Sequence, residues 1–152
     1  MRVEDILKLK GNRIFSIAPE ASLTEAVALM VTHDIGSLVV MQAGAMTGMI
    51  TFREVLCALH AYGGKLDSAP VAEVMVRDPV YGKPDDTVDQ MRTVMTEQHI
   101  RYLPIKRDGA LLGVLSFHDV ARAALQAASL ENRALKEYIK NWPEPDPAAT
   151  GS

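Results

Sequence analysis

Two places in the sequence set a hydroxyl and a carboxylate three residues apart, where an extended run gives way to a helix: Ser116-Phe-His-Asp119 and Thr51-Phe-Arg-Glu54. At that junction both side chains reach the same point above a helix N-terminus. A carboxylate there can accept hydrogen bonds from the two vicinal hydroxyls of a ribose, and the free amides and dipole of the helix favour a nearby phosphate. Arg101, at the start of the preceding extended run, adds a permanent cation whose planar fork suits phosphate oxygens. The same spacing also serves a helix cap, in which the hydroxyl and the residue three positions on satisfy each other's backbone amides. Each pair therefore reads either as a cap or as a binding element.

The two junctions are unequal. Glu54 is one methylene longer than Asp119, so it crowds a ribose and makes the better capping residue. The position matching Arg101 is Gly36, which carries no charge. These differences predict one stronger site at Ser116, Asp119 and Arg101, with His118 either on a phosphate or merely solvated. They predict a weaker or degenerate one at Thr51, Arg53 and Glu54.

Other chemistry is sparse. His33, His60, His99 and His118 show no metal-ligand spacing, so no metal site is expected. Cys57 is the only cysteine and cannot form an internal disulfide; its place beside Val55, Leu56 and Leu59 predicts a buried structural thiol. No glycine-rich phosphate loop, nucleophile triad or paired-carboxylate set stands out, which argues against an enzyme. A formal charge of −3 and a pI near 5.8, with scattered Lys and Arg, leave no footprint for a nucleic acid. The longest apolar runs, "SLVVM" and "LLGVL", are strand-sized rather than membrane-spanning, and no N-terminal stretch reads as a signal peptide. The expectation is a soluble cytoplasmic chain.

The elements that hold these residues are written twice. Sliding the chain by 65 residues aligns 14–56 with 79–121 without a gap, pairing Pro19 with Pro84, Met30 with Met95, Gly48 with Gly113 and Phe52 with Phe117. Ser22-Leu-Thr-Glu25 and Thr87-Val-Asp-Gln90 fit the capping box and start equivalent helices with apolar stripes at helical spacing. Each helix is followed by an extended run, a turn at Gly44 or Asp108-Gly109, a second extended run and a closing helix. Each unit reads strand, helix, strand, strand, helix. Val3-Glu-Asp-Ile-Leu7 resembles Val71-Ala-Glu-Val-Met75, but the first copy carries three extra residues before its strand. The boundaries are a first repeat over 1–63, a joint over 64–70 and a second repeat over 71–127. A helical extension over 128–142 and a disordered tail over 143–152 follow. The extension either covers its own core or packs on a second chain through Leu135, Tyr138 and Trp142.

The doubled unit, the phrase Gly-hydrophobic-hydrophobic-Ser/Thr-x-x-Asp before a helix, and "VAEVM" opening the second copy resemble a stand-alone bacterial cystathionine-β-synthase-type (CBS) domain pair, or Bateman module. The resemblance implies an α+β fold of tandem βαββα CBS repeats about a pseudo-twofold axis, here with a C-terminal helical extension. It implies no catalysis and no required cofactor. It implies clefts for adenosine-containing ligands such as AMP, ADP, ATP, NAD or S-adenosylmethionine. In it the Asp takes ribose, the Ser and Arg take phosphate, and the backbone near Ser16, Ile17, Gly36 and Ser37 takes adenine; Tyr81 and Gly82 stand at the matching positions of the weaker site. It also implies a homodimer and signalling to a regulated partner, against the alternative of a ligand-independent dimerisation scaffold.

Overall fold

The structure is a computed structural model that describes residues 1–11, 13–67 and 69–141. Trp142 and the tail over 143–152 lie outside the described residues. The first repeat holds β1 (Ser16–Ile17), α2 (Leu23–His33), β2 (Ser37–Gln42), β3 (Ala45–Thr51) and α3 (Phe52–Ala61), preceded by α1 (Val3–Lys10). The second holds α5 (Val88–Glu97), β4 (Tyr102–Arg107), β5 (Ala110–Ser116) and α6 (Phe117–Lys140), preceded by the short α4 (Val71–Val74). Helix α5 starts with the expected reciprocal capping box, and α2 with only its Ser22 half. Thr87 Oγ1 accepts the Gln90 amide at 3.1 Å while Gln90 Oε1 accepts the Thr87 amide at 2.8 Å; at α2, Ser22 Oγ accepts the Glu25 amide at 3.1 Å.

Both repeats build the same antiparallel hairpin. Ser37 pairs with Thr51 in one and Tyr102 with Ser116 in the other, and both slip register near the turn, at Val40/Met41 and at Ile105/Lys106. They differ at the first strand. In the first repeat β1 pairs parallel with β2, and the Val39 amide donates to Phe15 O at 3.0 Å. The residue matching Val39 is Pro104, which has no N–H to give. The expected first strand of the second repeat is accordingly reduced to a single bridge between Gly82 and Ile105.

The leader helices cross over between repeats. Val3, Ile6 and Leu7 of α1 are buried in the second repeat's core, among Val88, Met91, Leu103, Leu115 and Val120. Val71 of α4 is buried in the first repeat's core, among Leu23, Leu38, Ile50 and Val55. Matching backbone bonds hold both crossings: the Val3 amide donates to Asp86 O at 2.9 Å, and the Val71 amide to Ala21 O at 2.8 Å. Each fully buried Val or Leu contributes about 1.5–3 kcal/mol, so neither core is complete without the other repeat's leader. The leaders press on β3 and β5 at Gly48 and Gly113. A Cβ on Gly48 would lie 2.8 Å from Val76 O, and one on Gly113 would lie 2.9 Å from Leu7 Cδ2.

One expectation meets a correction on the helices. Cys57 is exposed, not buried, because Val55 and Ala58 take the inward positions of α3 and turn Leu56 and Cys57 outward. Helix α6 runs through residue 127 without a break and leaves its own core. Leu130, Leu135 and Ile139 of the extension are exposed.

Candidate functional site

The crossing of leaders leaves two clefts related by the 65-residue repeat. The first, of about 300 Å³, is lined by Ile14, Phe15, Asp34, Ile35, Gly36 and Ser37 from the first repeat. Val114, Ser116 and His118 of the second repeat, with Lys10, Arg13 and Tyr102, complete it. The second, of about 210 Å³, joins Thr51, Arg53 and Glu54 to Pro79, Val80, His99, Ile100, Arg101 and Tyr102. Each therefore combines the strand entrance of one repeat with the helix start of the other. A wider open groove of about 650 Å³, containing Phe52, Arg53, His99, Arg101, Tyr102, Ser116 and His118, runs beside both.

At the Ser116 cleft the cap forms as the spacing predicts. Ser116 Oγ accepts the Asp119 amide at 3.0 Å, and Asp119 Oδ2 accepts the Ser116 amide at 2.9 Å. Oδ2 also takes the Lys10 amine, which donates to it at 2.6 Å and to Val114 O at 2.9 Å. Burial pushes the Asp119 carboxyl up, but the Lys10 amine and the Ser116 amide together hold it below its ordinary value of 3.8. At the Thr51 cleft Glu54 Oε1 accepts the Thr51 amide and hydroxyl, each at 3.0 Å, and no cation pairs with Glu54 among the described residues. Tyr102 walls both clefts, and its hydroxyl takes the space that a side chain on Gly36 would need. Burial pushes its phenol up, partly offset by the nearby Arg101.

The predicted residues distribute differently from the expectation. Ser116, His118, Gly36 and Ser37 share one cleft; Thr51, Arg53 and Glu54 share the other. Arg101 belongs to the Thr51 cleft, not the Ser116 cleft. Its guanidinium lies over the Phe52 ring at 5.2 Å, pulled toward the first repeat by that cation–π contact. The cation thought missing from the weaker site is therefore present there. Ser16 and Ile17 do not line the Ser116 cleft: β1 leaves Ser16 exposed and buries Ile17 in the first repeat's core, and Ile14 and Phe15, two residues earlier, form the wall with Val39. By the same shift Pro79 and Val80 replace Tyr81 and Gly82. Tyr81 lines a separate depression under the Lys106 amine, and Gly82 is bonded to Pro104 and Lys106. Asp119 itself lies behind Lys10 rather than on the cleft wall.

Sequence reasoning missed Lys10, Arg13 and Tyr102. Lys10 and Arg13 fall in the segment where the first leader carries three extra residues, and that insertion was the available signal. Arg13 lies over the Phe15 ring at 5.0 Å.

A duplicated α/β unit with crossed leaders and two inter-repeat clefts defines a paired-repeat module. The sequence profile of the CBS domain matches residues 3–61 and 71–126, and the chain belongs to that family. It is 30% identical over 109 residues to the CBS domain-containing protein YhcV of Bacillus subtilis, covering 72% of this chain and 77% of that one. The crystal structure of the CBS-domain protein ATU1752 of Agrobacterium tumefaciens superposes with a TM-score of 0.78 at 30% identity, over 82% of this chain and 99% of that one. The CBS domain pair of MJ0100, solved in complex with 5′-methylthioadenosine and S-adenosyl-L-methionine, shares the fold at a TM-score of 0.71 and 22% identity, over 84% and 98% of the two chains. Among the described residues no helix is long and apolar enough to cross a membrane, and no cluster of three His, Cys, Asp or Glu could hold a metal.

Proposed function

We propose that the protein is a non-catalytic regulatory module that binds an adenosine nucleotide of the AMP, ADP, ATP or NAD type in the clefts between its CBS repeats. The observation that carries this reading is the Ser116 cleft. Apolar walls from Ile14, Phe15, Ile35 and Val114 suit a flat base, and the capped start of α6 lies beside the cations Lys10 and Arg13. The ligands held by the pair of MJ0100, 5′-methylthioadenosine and S-adenosyl-L-methionine, support the adenosine part of this reading, since neither carries a phosphate. Binding would act by favouring one arrangement of the repeats or of the assembly over another, which requires different affinity for each. Leu56 on α3 with Leu125, Leu130 and Leu135 on α6 are exposed apolar side chains that fit a homodimer contact. A regulated partner protein would read the change.

Mass spectrometry of what co-purifies with the full chain, released by mild denaturation, is expected to identify an adenosine nucleotide. Calorimetry that finds no adenosine ligand bound below millimolar concentration would overturn the reading in favour of a ligand-independent scaffold. Sedimentation is expected to show a dimer at tens of micromolar, weakened by truncation before Glu131; a monomer there would refute the assembly.

A further inference from the structure

We propose that Lys10 sets the charge selectivity of the Ser116 cleft: paired with Asp119, it cancels the negative charge that the helix start alone would present and leaves one ammonium N–H for a ligand. The cleft then prefers a nucleoside phosphate to an uncharged nucleoside. The inference rests on the nucleotide reading above and adds which charge on the ligand is read, and by which residue.

The geometry carries it in three steps. Asp119 Oδ2 already accepts the Ser116 amide at 2.9 Å and the Lys10 amine at 2.6 Å, so the carboxylate's charge is matched inside the protein. Lys10, Ser116 and His118 line the cleft while Asp119 does not, so an entering ligand meets the amine. Arg13 stands on the same wall, and Asp34 is the one carboxylate among the described lining residues. A phosphate in this cleft gains hydrogen bonds in which both partners are charged, which an uncharged sugar cannot form.

Closing the fold does not by itself require this lysine. On the other side Val76 pairs with Met49 through two backbone bonds, at 2.8 and 3.0 Å, which close the edge of β3 without any side chain. Val114 matches Met49, yet its carbonyl is met by the Lys10 amine, because α1 runs for 8 residues where α4 runs for 4. The extra turn carries a cation to the cleft in place of a strand edge.

The test is an NMR titration of the isotope-labelled full chain with AMP and with adenosine, read on the amides of Ile35 and Ser37, which line this cleft and not the groove beside it. The wild type is expected to bind AMP about tenfold more tightly than adenosine, the low end for one charge-assisted hydrogen bond. Lys10→Gln should bring the two affinities to within about twofold, since it removes the cation and uncovers Asp119; Lys10→Arg should keep the preference. Equal affinities in the wild type, or a preference that survives Lys10→Gln, would overturn the assignment. So would a Lys10→Gln variant that loses both ligands equally, which marks a purely structural lysine. If Lys10→Gln does not fold, Asp119→Asn serves instead. It leaves the amine in place and should keep or raise the AMP preference; a fall would overturn the proposal. Should neither ligand shift these signals in the wild type, the nucleotide reading itself fails, an outcome distinct from equal binding of both.

Discussion

The two leader segments do the same packing work and finish it differently. Each buries its apolar face in the opposite repeat and is held by matching backbone bonds, Val3 to Asp86 and Val71 to Ala21. Beyond that point the second leader turns extended and pairs with β3 through Val76, while the first adds a helical turn and hydrogen-bonds β5 through the Lys10 amine. One cleft is thus edged by backbone and the other by a charged side chain. A duplicated fold can acquire two different sites without altering its core, because the difference lies in the few residues that leave each leader.

Four comparisons sharpen that contrast, beginning with the close approaches. At Gly48 an added Cβ meets the Val76 carbonyl, which belongs to a paired backbone and cannot yield; at Gly113 it meets the end of the Leu7 side chain, which can. Gly48→Ala is expected to cost about 2–3 kcal/mol and Gly113→Ala about 1 kcal/mol, measured by urea denaturation; equal costs would break the contrast. The caps come next. Asp119→Ala removes a capping box and leaves Lys10 without its partner, for about 2 kcal/mol, whereas Glu54→Ala removes a cap alone, for about 1 kcal/mol.

Acid gives the third comparison. Because the folded Asp119 carboxyl lies below 3.8, its stabilising effect is complete above that pH and disappears as pH falls through the lower folded value. Denaturation midpoints between pH 5 and pH 2 should fall less steeply in Lys10→Gln than in the wild type, and Arg101→Gln should leave the slope unchanged. The smallest effect belongs to Cys57→Ser, where an exposed thiol on α3 predicts a change within about 0.5 kcal/mol; a larger loss would mean that α3 is covered in the assembly.

Much of this molecule is legible along the chain. The 65-residue register, the capping pairs at Thr51/Glu54, Ser116/Asp119 and Thr87/Gln90, and the hairpin turns are local patterns, and each appears in the structure where its residues predict it. Local chemistry is enough for these because a cap or a turn is satisfied within four residues. The outward turn of Cys57 was missed for want of one fact, which face of α3 the sheet covers. The lost first strand of the second repeat, by contrast, was written in Pro104 and could have been read from its missing N–H.

The sequence by itself determined that two like units exist, where their helices begin and which hydroxyl–carboxylate pairs close them, since all of this depends on neighbours in the chain. Only the tertiary structure decided the membership of each cleft. Arg101 goes with Thr51, Ile14 and Phe15 go with Ser116, and Lys10 reaches Asp119 across 109 positions of sequence. Those pairings follow from the crossing of the leaders and the lateral packing of Arg101 on Phe52, contacts between segments whose separation along the chain carries no signal of their distance in space.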